Sequence, residues 1–315
     1  MAFHTKLSKI EVESILLKYQ LGSYVNHMGI TQGIENSNYL LYTNKLKYIL
    51  TIFEKRVNNN DLPFFLELMD HTRASGIVCP TSLKNKNGKR FDTIKNKSFA
   101  IFTFIEGKSL KNWSHENCFL IGKTICDFHF ANKNFKPRRK NNFGINQFSY
   151  LFSKIEKDIE KVLPGAKNLI KKEINFLEKK YPNNLPSGII HADFFPDNVL
   201  FIGKKISGII DFYFSCFDNF MYDLSIVVNA WCFPNNKFKI ENYNSIIEGY
   251  QERKNMTDKE FSFLNICLRA AAMRFLLTRL SDRIFPTSDF AQKKSPREFF
   301  DILNFHRSHD ITTKG

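Results

Sequence analysis

Apolar positions change period several times along the first hundred residues. Val12, Ile15 and Leu16 recur at helical spacing behind Ser8 and Glu11, a Ser-x-x-Glu capping pattern, so 8–18 reads as a short helix. Segments 24–30, 38–43 and 47–53 are β-rich and separated by Gly33 and by Asn44-Lys45, which predicts a meander of antiparallel strands. Helical spacing returns at Phe65, Leu68 and Met69 within 62–75 and stops at Gly76. Segment 98–105 is the strongest remaining strand. From Ser114 onward the pattern is mainly helical, over 116–129, 145–161, 168–181, 222–231, 242–253 and 258–282, the last long enough for more than one helix. One β-rich interruption, 188–214, breaks that run, and the polar tail after Phe285 is expected to be less ordered. The expectation is an α+β fold in two lobes. Residues 1–105 form a small antiparallel β lobe and 106–315 a larger, mainly helical one, hinged near Glu106-Gly107.

Composition narrows the class. With 315 residues, 43% hydrophobic and 24% charged, the chain can bury a sizeable core, and 33 Phe residues make that core aromatic. The net charge of +15 invites a nucleic-acid reading. Yet the lysines are scattered in ones and twos among asparagines (Lys45, Lys47, Lys84, Lys86, Lys95, Lys97) rather than gathered on one face. No nucleic-acid partner is expected. Six cysteines show no Cys-x-x-Cys spacing, residues 1–13 have no apolar signal region, and no stretch reaches 18 uninterrupted apolar residues. The expectation is a cytoplasmic protein with reduced thiols and no membrane span.

The chemistry concentrates in 189–212. Ile189-Ile190 leads into a polar loop from His191 to Asn198, and 199–202 and 207–210 read as two strands of a hairpin turning at Gly203. That turn carries Asp211 back beside Asn198. Asp193, Asn198 and Asp211 then converge on one edge. Phosphoryl transfer needs such a set: a hard cation such as Mg²⁺ takes carboxylate and amide oxygens, and a separate carboxylate orients the attacking hydroxyl. The spacing His-x-Asp-x-x-x-x-Asn matches the catalytic loop of protein kinases, with Asp211 where their DFG aspartate stands. No Gly-x-x-x-x-Gly-Lys-Ser/Thr loop exists, which excludes a P-loop kinase, and no His/Cys cluster has zinc spacing.

The segment resembles the aminoglycoside-phosphotransferase-like kinases, which carry His-x-Asp here and Ile-Asp in place of Asp-Phe-Gly. More narrowly, Gly33-Ile34-Glu35-Asn36-Ser37-Asn38-Tyr39, Leu50-Thr51-Ile52-Phe53-Glu54, Leu62-Pro63-Phe64-Phe65-Leu66, 191–201, 211–216 and 269–282 resemble the homoserine kinases of that superfamily. The similarity runs from about residue 5 to 282. It implies a two-lobed, protein-kinase-like fold, ATP and Mg²⁺ as cofactors, and L-homoserine as acceptor. It implies Asp193 as the catalytic carboxylate, Asn198 and Asp211 on Mg²⁺, and 29–38 over the ATP phosphates, with Gly33, Ile34, Asn36 and Ser37 in contact. Thr103 and Ile105 would meet adenine through the backbone. His191 and Asp223 would support the loop. One departure stands out: relatives with a Lys or Arg on the third strand have it where this chain has Thr51. Lys47 is a weak stand-in, as is Glu67 for its helix partner.

On the acceptor side, an amino acid calls for a guanidinium opposite its carboxylate. Arg269, Arg274 and Arg279 lie five residues apart, so about 140° of helix rotation separates each from the next and they cannot share one face. Arg274 is the preferred clamp, Arg139 in Arg139-Lys140-Asn141-Asn142-Phe143-Gly144 a second candidate, and Tyr213 a candidate pocket wall. The alternatives are a kinase of the same fold acting on choline, an aminoglycoside or another amino alcohol, a non-catalytic nucleic-acid binder, and a protein kinase. The last lacks Asp-Phe-Gly and Ala-Pro-Glu.

Overall fold

The computed structural model describes residues 5–30, 36–54, 57–286 and 294–312. The capping pair opens α1 (Lys9–Leu17): the Ser8 hydroxyl accepts from the Glu11 N–H, and the Glu11 carboxylate accepts from the Ser8 N–H at 2.7 Å. Strands β1 (Tyr24–Ile30), β2 (Ser37–Thr43) and β3 (Lys47–Ile52) follow as the expected meander. After α2 (Leu62–Ala74) come β4 (Asp92–Ile94) and β5 (Lys97–Thr103). They complete an antiparallel sheet ordered β1-β2-β3-β5-β4. The sequence reading missed β4, which is three residues long and turns into β5 through Lys95 and Asn96, both at positive φ.

The two faces of this sheet do different work. Tyr48, Leu50 and Ile52 alternate outward and, with Tyr39 and Leu41, pack under Val12, Ile15 and Leu16 of α1. On the opposite face Phe53, Ala100 and Phe102 join Phe65, Leu66 and Met69 of α2 in a core that continues through Phe194, Val199, Ile209 and Phe212 of the large lobe. One apolar cluster therefore runs through the junction between lobes. The chain crosses at Gly107, with φ 137°, where a Cβ would lie 2.2 Å from Ser207 Oγ. Only glycine fits that crossing. Directly after it, Lys108 and Phe201 exchange backbone hydrogen bonds of 3.0 and 2.9 Å.

The large lobe comprises α3 (His115–Ala131), α4 (Phe148–Ile155), α5 (Ile159–Val162), α6 (Ala166–Lys180), β6 (Ser187–Ile190), β7 (Val199–Ile202), β8 (Lys205–Ile209), β9 (Cys216–Asn219), α7 (Phe220–Trp231), α8 (Ile240–Gln251), α9 (Asp258–Ile284) and α10 (Pro296–Ser308). Three expectations need correction. Segment 145–161 is not one helix, because a turn at 156–158 separates α4 from α5. Phe148, Phe152, Ile155 and Ile159 are all buried, so apolar spacing persists through the break and hid it. Segment 258–282 lies within a single helix of 27 residues, α9. By length and composition α9 could span a bilayer, but Leu264, Leu268, Met273, Leu276 and Leu277 are buried in the protein's own core. Finally, the polar tail contains α10, whose Phe299, Ile302 and Leu303 are buried against α9. Its amphipathic stripe was masked by the surrounding charges.

Candidate active site

The loop from His191 to Asn198 leaves β6 and is fixed by buried charge. Asp223, from the first turn of α7 and fully buried, accepts the His191 N–H at 2.9 Å and the Ala192 N–H at 2.8 Å. His129 Nε2 donates to the same carboxylate at 2.9 Å, while its Nδ1 accepts from the Tyr250 hydroxyl at 3.3 Å. Burial alone would raise the Asp223 pKa, but the hydrogen bonds from His129 and the charges around it hold the carboxyl below its usual range. Arg274 of α9 donates to the Ala192 carbonyl from the other side. Both ends of the Ala192 residue are thus gripped, and they need to be, because its φ is +63°. A left-handed alanine costs about 1–2 kcal/mol.

His191 serves the same purpose. Burial lowers its pKa, so the ring stays neutral; Nε2 donates to the Ile210 carbonyl at 3.2 Å and Nδ1 accepts from the Asp193 N–H at 3.3 Å. Phe128, Phe194 and Phe212 meet the ring edge-on, with centroids 5.2–5.7 Å away. Through Ile210 and Phe212, His191 therefore braces the residues on either side of Asp211.

Asn198 joins the two halves of the site. Its Nδ2 donates to the Asp193 carbonyl at 2.8 Å and to the Asp193 Oδ2 at 2.9 Å, and its own carbonyl accepts from the Ile210 N–H at 2.9 Å. The β7–β8 hairpin, turning at Gly203 with φ 57°, thus brings Asp211 beside Asn198. Asp211 also has a left-handed φ, +67°. With Nδ2 committed to Asp193, Asn198 has its Oδ1 to offer a cation. Among the described residues no group of three or more His, Cys, Asp or Glu is spaced to hold a metal. A small hard cation held by one carboxylate and one amide, and completed by phosphate oxygens and water, does not need one. The oxygen donors fit such an ion.

The small-lobe wall is arranged differently. Gly33 and Ile34 lie outside the described residues. Ser37 Oγ donates to Glu54 at 2.7 Å and Asn36 Oδ1 accepts the Glu54 N–H at 3.3 Å, so both side chains anchor the base of their loop. Glu54 also takes hydrogen bonds from Thr5 and Lys97. At the hinge, the Thr103 N–H bonds the Thr81 carbonyl at 3.0 Å, while among the described residues the Ile105 backbone has no partner and can meet a planar base. Lys47 pairs with Glu106 at 3.1 Å beside that hinge, at the end of β3 away from the β1–β2 connection, and Glu67 is exposed on α2. Neither takes up the lysine–glutamate pairing.

Of the three acceptor-side candidates, Arg139 and Tyr213 both pack on Phe65, while Arg274 packs on other rings. Arg139 ion-pairs with Asp61 at 2.8 Å, donates to the Ser215 carbonyl at 3.3 Å and lies 5.0 Å over the Phe65 ring. Tyr213 is turned toward the small lobe, edge-on to Phe53 at 5.4 Å and Phe65 at 5.7 Å. Arg274 is 2% exposed and surrounded by Phe143, Phe214 and Phe275. Arg269 pairs with Glu173 and Arg279 with Glu298, so these two and Arg274 do point apart. The sequence reading overlooked Asp61 and Asp218. Asp218 accepts from Asn141 at 2.7 Å, and burial pushes its carboxyl up. Their partners lie more than 70 residues away, and no local signal pairs them.

An Asp-Asn-Asp edge between a five-stranded sheet and a helical lobe is the architecture of a protein-kinase-like phosphotransferase. The chain belongs to the phosphotransferase enzyme family, whose model matches residues 27–253. It is 40% identical over 309 residues to the homoserine kinase of Parvibaculum lavamentivorans, covering 98% of this chain and 96% of that protein. It is 39% identical over 310 residues to the homoserine kinase of Agrobacterium fabrum, with coverage of 98% and 96%. Among solved structures, spectinomycin phosphotransferase with ADP and spectinomycin superposes with a TM-score of 0.73 at 15% identity, covering 96% of this chain and 99% of that one. Amicoumacin kinase with AMP-PNP and Ca²⁺ superposes at 0.72 and 15% identity, covering 95% and 94%. Those two likenesses bear on the fold.

Proposed function

We propose that the protein transfers the γ-phosphoryl group of ATP to the hydroxyl of L-homoserine, giving ADP and O-phospho-L-homoserine on the route to threonine. The observation that carries this is 40% identity to homoserine kinases along nearly the whole of both chains. The Asp193–Asn198–Asp211 edge supplies a chemistry consistent with it.

Asp193, its Oδ2 fixed by Asn198, orients the acceptor hydroxyl and takes its proton as the oxygen attacks the γ-phosphorus. The new O–P bond forms as the bond to the β–γ bridging oxygen breaks, and ADP leaves with that electron pair. Asn198 and Asp211 would hold Mg²⁺, which when bound neutralises charge on the β- and γ-phosphates. Adenine would lie against the hinge at Thr103 and Ile105, and 29–38 would cover the phosphates. His191, Asp223 and Arg274 keep the loop in its left-handed form. Six free, buried cysteines suit a reducing cytoplasm.

A panel of acceptors with ADP detection tests the reading. Turnover with L-homoserine well above that with choline, ethanolamine or an aminoglycoside is expected. Turnover of choline but not homoserine would reject the substrate while leaving the reaction class intact.

A further inference from the structure

Protein kinases place the helix beside their small sheet through an ion pair between a β3 lysine and a glutamate of that helix. In this chain Thr51 stands at the strand position and Glu67 is exposed, so α2 is placed by other contacts. Several come from the large lobe, where residues 131–139 run along α2 from its C-terminus to its N-terminus. Thr72 Oγ1 donates to Asn132 Oδ1 at 2.9 Å in a buried bond, and His71 Nε2 donates to the Ala131 carbonyl at 3.1 Å. Asn132 is itself fixed, its Nδ2 donating to the Phe128 carbonyl of α3 at 2.9 Å. Midway, the Phe135 ring meets His71 at 5.3 Å and Phe64 at 5.6 Å. At the N-terminus of α2, Arg139 Nε donates to Asp61 Oδ2 at 2.8 Å. The same guanidinium donates to the Ser215 carbonyl at 3.3 Å, and the Arg139 carbonyl accepts the Phe217 N–H at 2.8 Å. Arg139 is thus pinned to the segment that follows Asp211 while its charge holds the small lobe.

We propose that Arg139 and Asp61 are positioning residues for the nucleotide: their ion pair closes an interlobe strap, 131–139, that fixes α2 and the sheet packed on it over segment 211–215. The proposal deepens the phosphotransfer reading above and rests on it. The two ends of the strap differ physically. The Thr72–Asn132 end is buried and neutral, so it is indifferent to salt. At the other end the Arg139 and Asp61 side chains are 14% and 28% exposed, so their attraction exceeds that of an open surface pair and is still partly screened. The guanidinium also lies 5.0 Å over the Phe65 ring, whose helix carries the contacts to Phe53, Ala100 and Phe102 of the sheet. A nucleotide held between lobes binds in proportion to the fraction of molecules whose lobes are correctly set. Loosening the strap therefore weakens the nucleotide first.

The experiment is a double-mutant cycle on the full chain with Asp61→Asn, Arg139→Gln and both, plus Asp61→Glu, which keeps the charge. ADP affinity with Mg²⁺ is read by calorimetry at about 0.05 and 0.5 M salt, and KM and kcat for ATP and for L-homoserine. Each single variant should weaken ADP binding about fivefold at low salt, the upper range for a partly exposed ion pair. The double variant should be no worse than Arg139→Gln, and Asp61→Glu should bind ADP within about twofold of the parent. The gap between the parent and Asp61→Asn should narrow at high salt, and KM for homoserine should stay put. Parent-like ADP affinity in Asp61→Asn, losses that multiply in the double variant, or a gap indifferent to salt would overturn the strap. So would a loss in Arg139→Gln confined to KM for homoserine, which would make that guanidinium a substrate clamp. If the parent binds ADP but does not phosphorylate homoserine, only the substrate reading falls, and the ADP cycle still decides the strap. If Arg139→Gln does not fold, Asp61→Asn and Asp61→Glu decide it alone.

Discussion

The two walls of the cleft place their buried charge differently. The 191–198 loop of the large lobe hangs on buried charge: Asp223 holds two backbone N–H groups and His129, and Arg274 holds the Ala192 carbonyl. On the small-lobe wall that faces it, β3 is aligned by a neutral threonine–asparagine bond and aromatic edges, and the buried carboxylate of Glu54 serves the base of the β1–β2 loop. The difference follows from the backbones. Strand β3 is regular and its ladder satisfies its own polar groups, so side chains need only align it. The loop carries Ala192 and the hairpin carries Asp211 in left-handed conformations, and a strained backbone persists only where strong partners overdetermine it.

The sharpest way to break this contrast is to remove Asp223. Asp223→Ala leaves the His191 and Ala192 N–H groups and His129 without their acceptor in a dry site, a loss of about 3–5 kcal/mol. For a chain of this size that corresponds to a fall in Tm on the order of 10 °C. Thermal unfolding followed by circular dichroism measures it, and a change under about 2 °C would show that the loop does not depend on the carboxylate.

Arg274→Met is the next largest. It removes the donor to Ala192 while keeping bulk among Phe143, Phe214 and Phe275, so kcat should fall at least about tenfold. KM for ATP should change little. The same variant separates two roles: a guanidinium clamping the substrate carboxylate would chiefly raise KM for L-homoserine, whereas a guanidinium holding the loop lowers kcat.

The smallest effect is on acid stability. His306 of α10 is buried against Asn229, and burial pushes its pKa down to about 3. Its folded pKa lies below its unfolded value, so the unfolded chain binds the proton first as pH falls. The stability is fully present above about pH 6.5 and is lost progressively toward pH 3, at up to about 1.4 kcal/mol per unit. His191, also lowered by burial, contributes in the same sense. His306→Gln should flatten the decline in denaturant midpoint between pH 6.5 and 5, and an unchanged slope would contradict it.

Much of this was legible in the residues because it was local. Ser8 and Glu11 announce α1, the alternating strands announce the sheet, and Gly203 between two short β segments announces the hairpin that pairs Asn198 with Ile210. The fold class and the residues of the Asp-Asn-Asp edge came from such signals. What stayed hidden was long-range or two-sided. Nothing near Tyr213 points to Phe53 and Phe65, on which its ring packs, and nothing near Arg139 points to Asp61. Arg274 reads as a clamp for a substrate carboxylate, yet α9 carries it into the core, where three phenylalanines and a carbonyl surround it. Helix α10 escaped because Phe299, Ile302 and Leu303 lie among charged neighbours.

The proposed role of Asp193 is tested most directly by one measurement: ³¹P NMR of the product formed from ATP, Mg²⁺ and L-homoserine by the parent protein and by Asp193→Asn, with ADP affinity measured on both. The account predicts O-phosphohomoserine from the parent, a rate at least about 1,000-fold lower from the variant, and equal ADP affinity. Parent-like product formation by Asp193→Asn would contradict it.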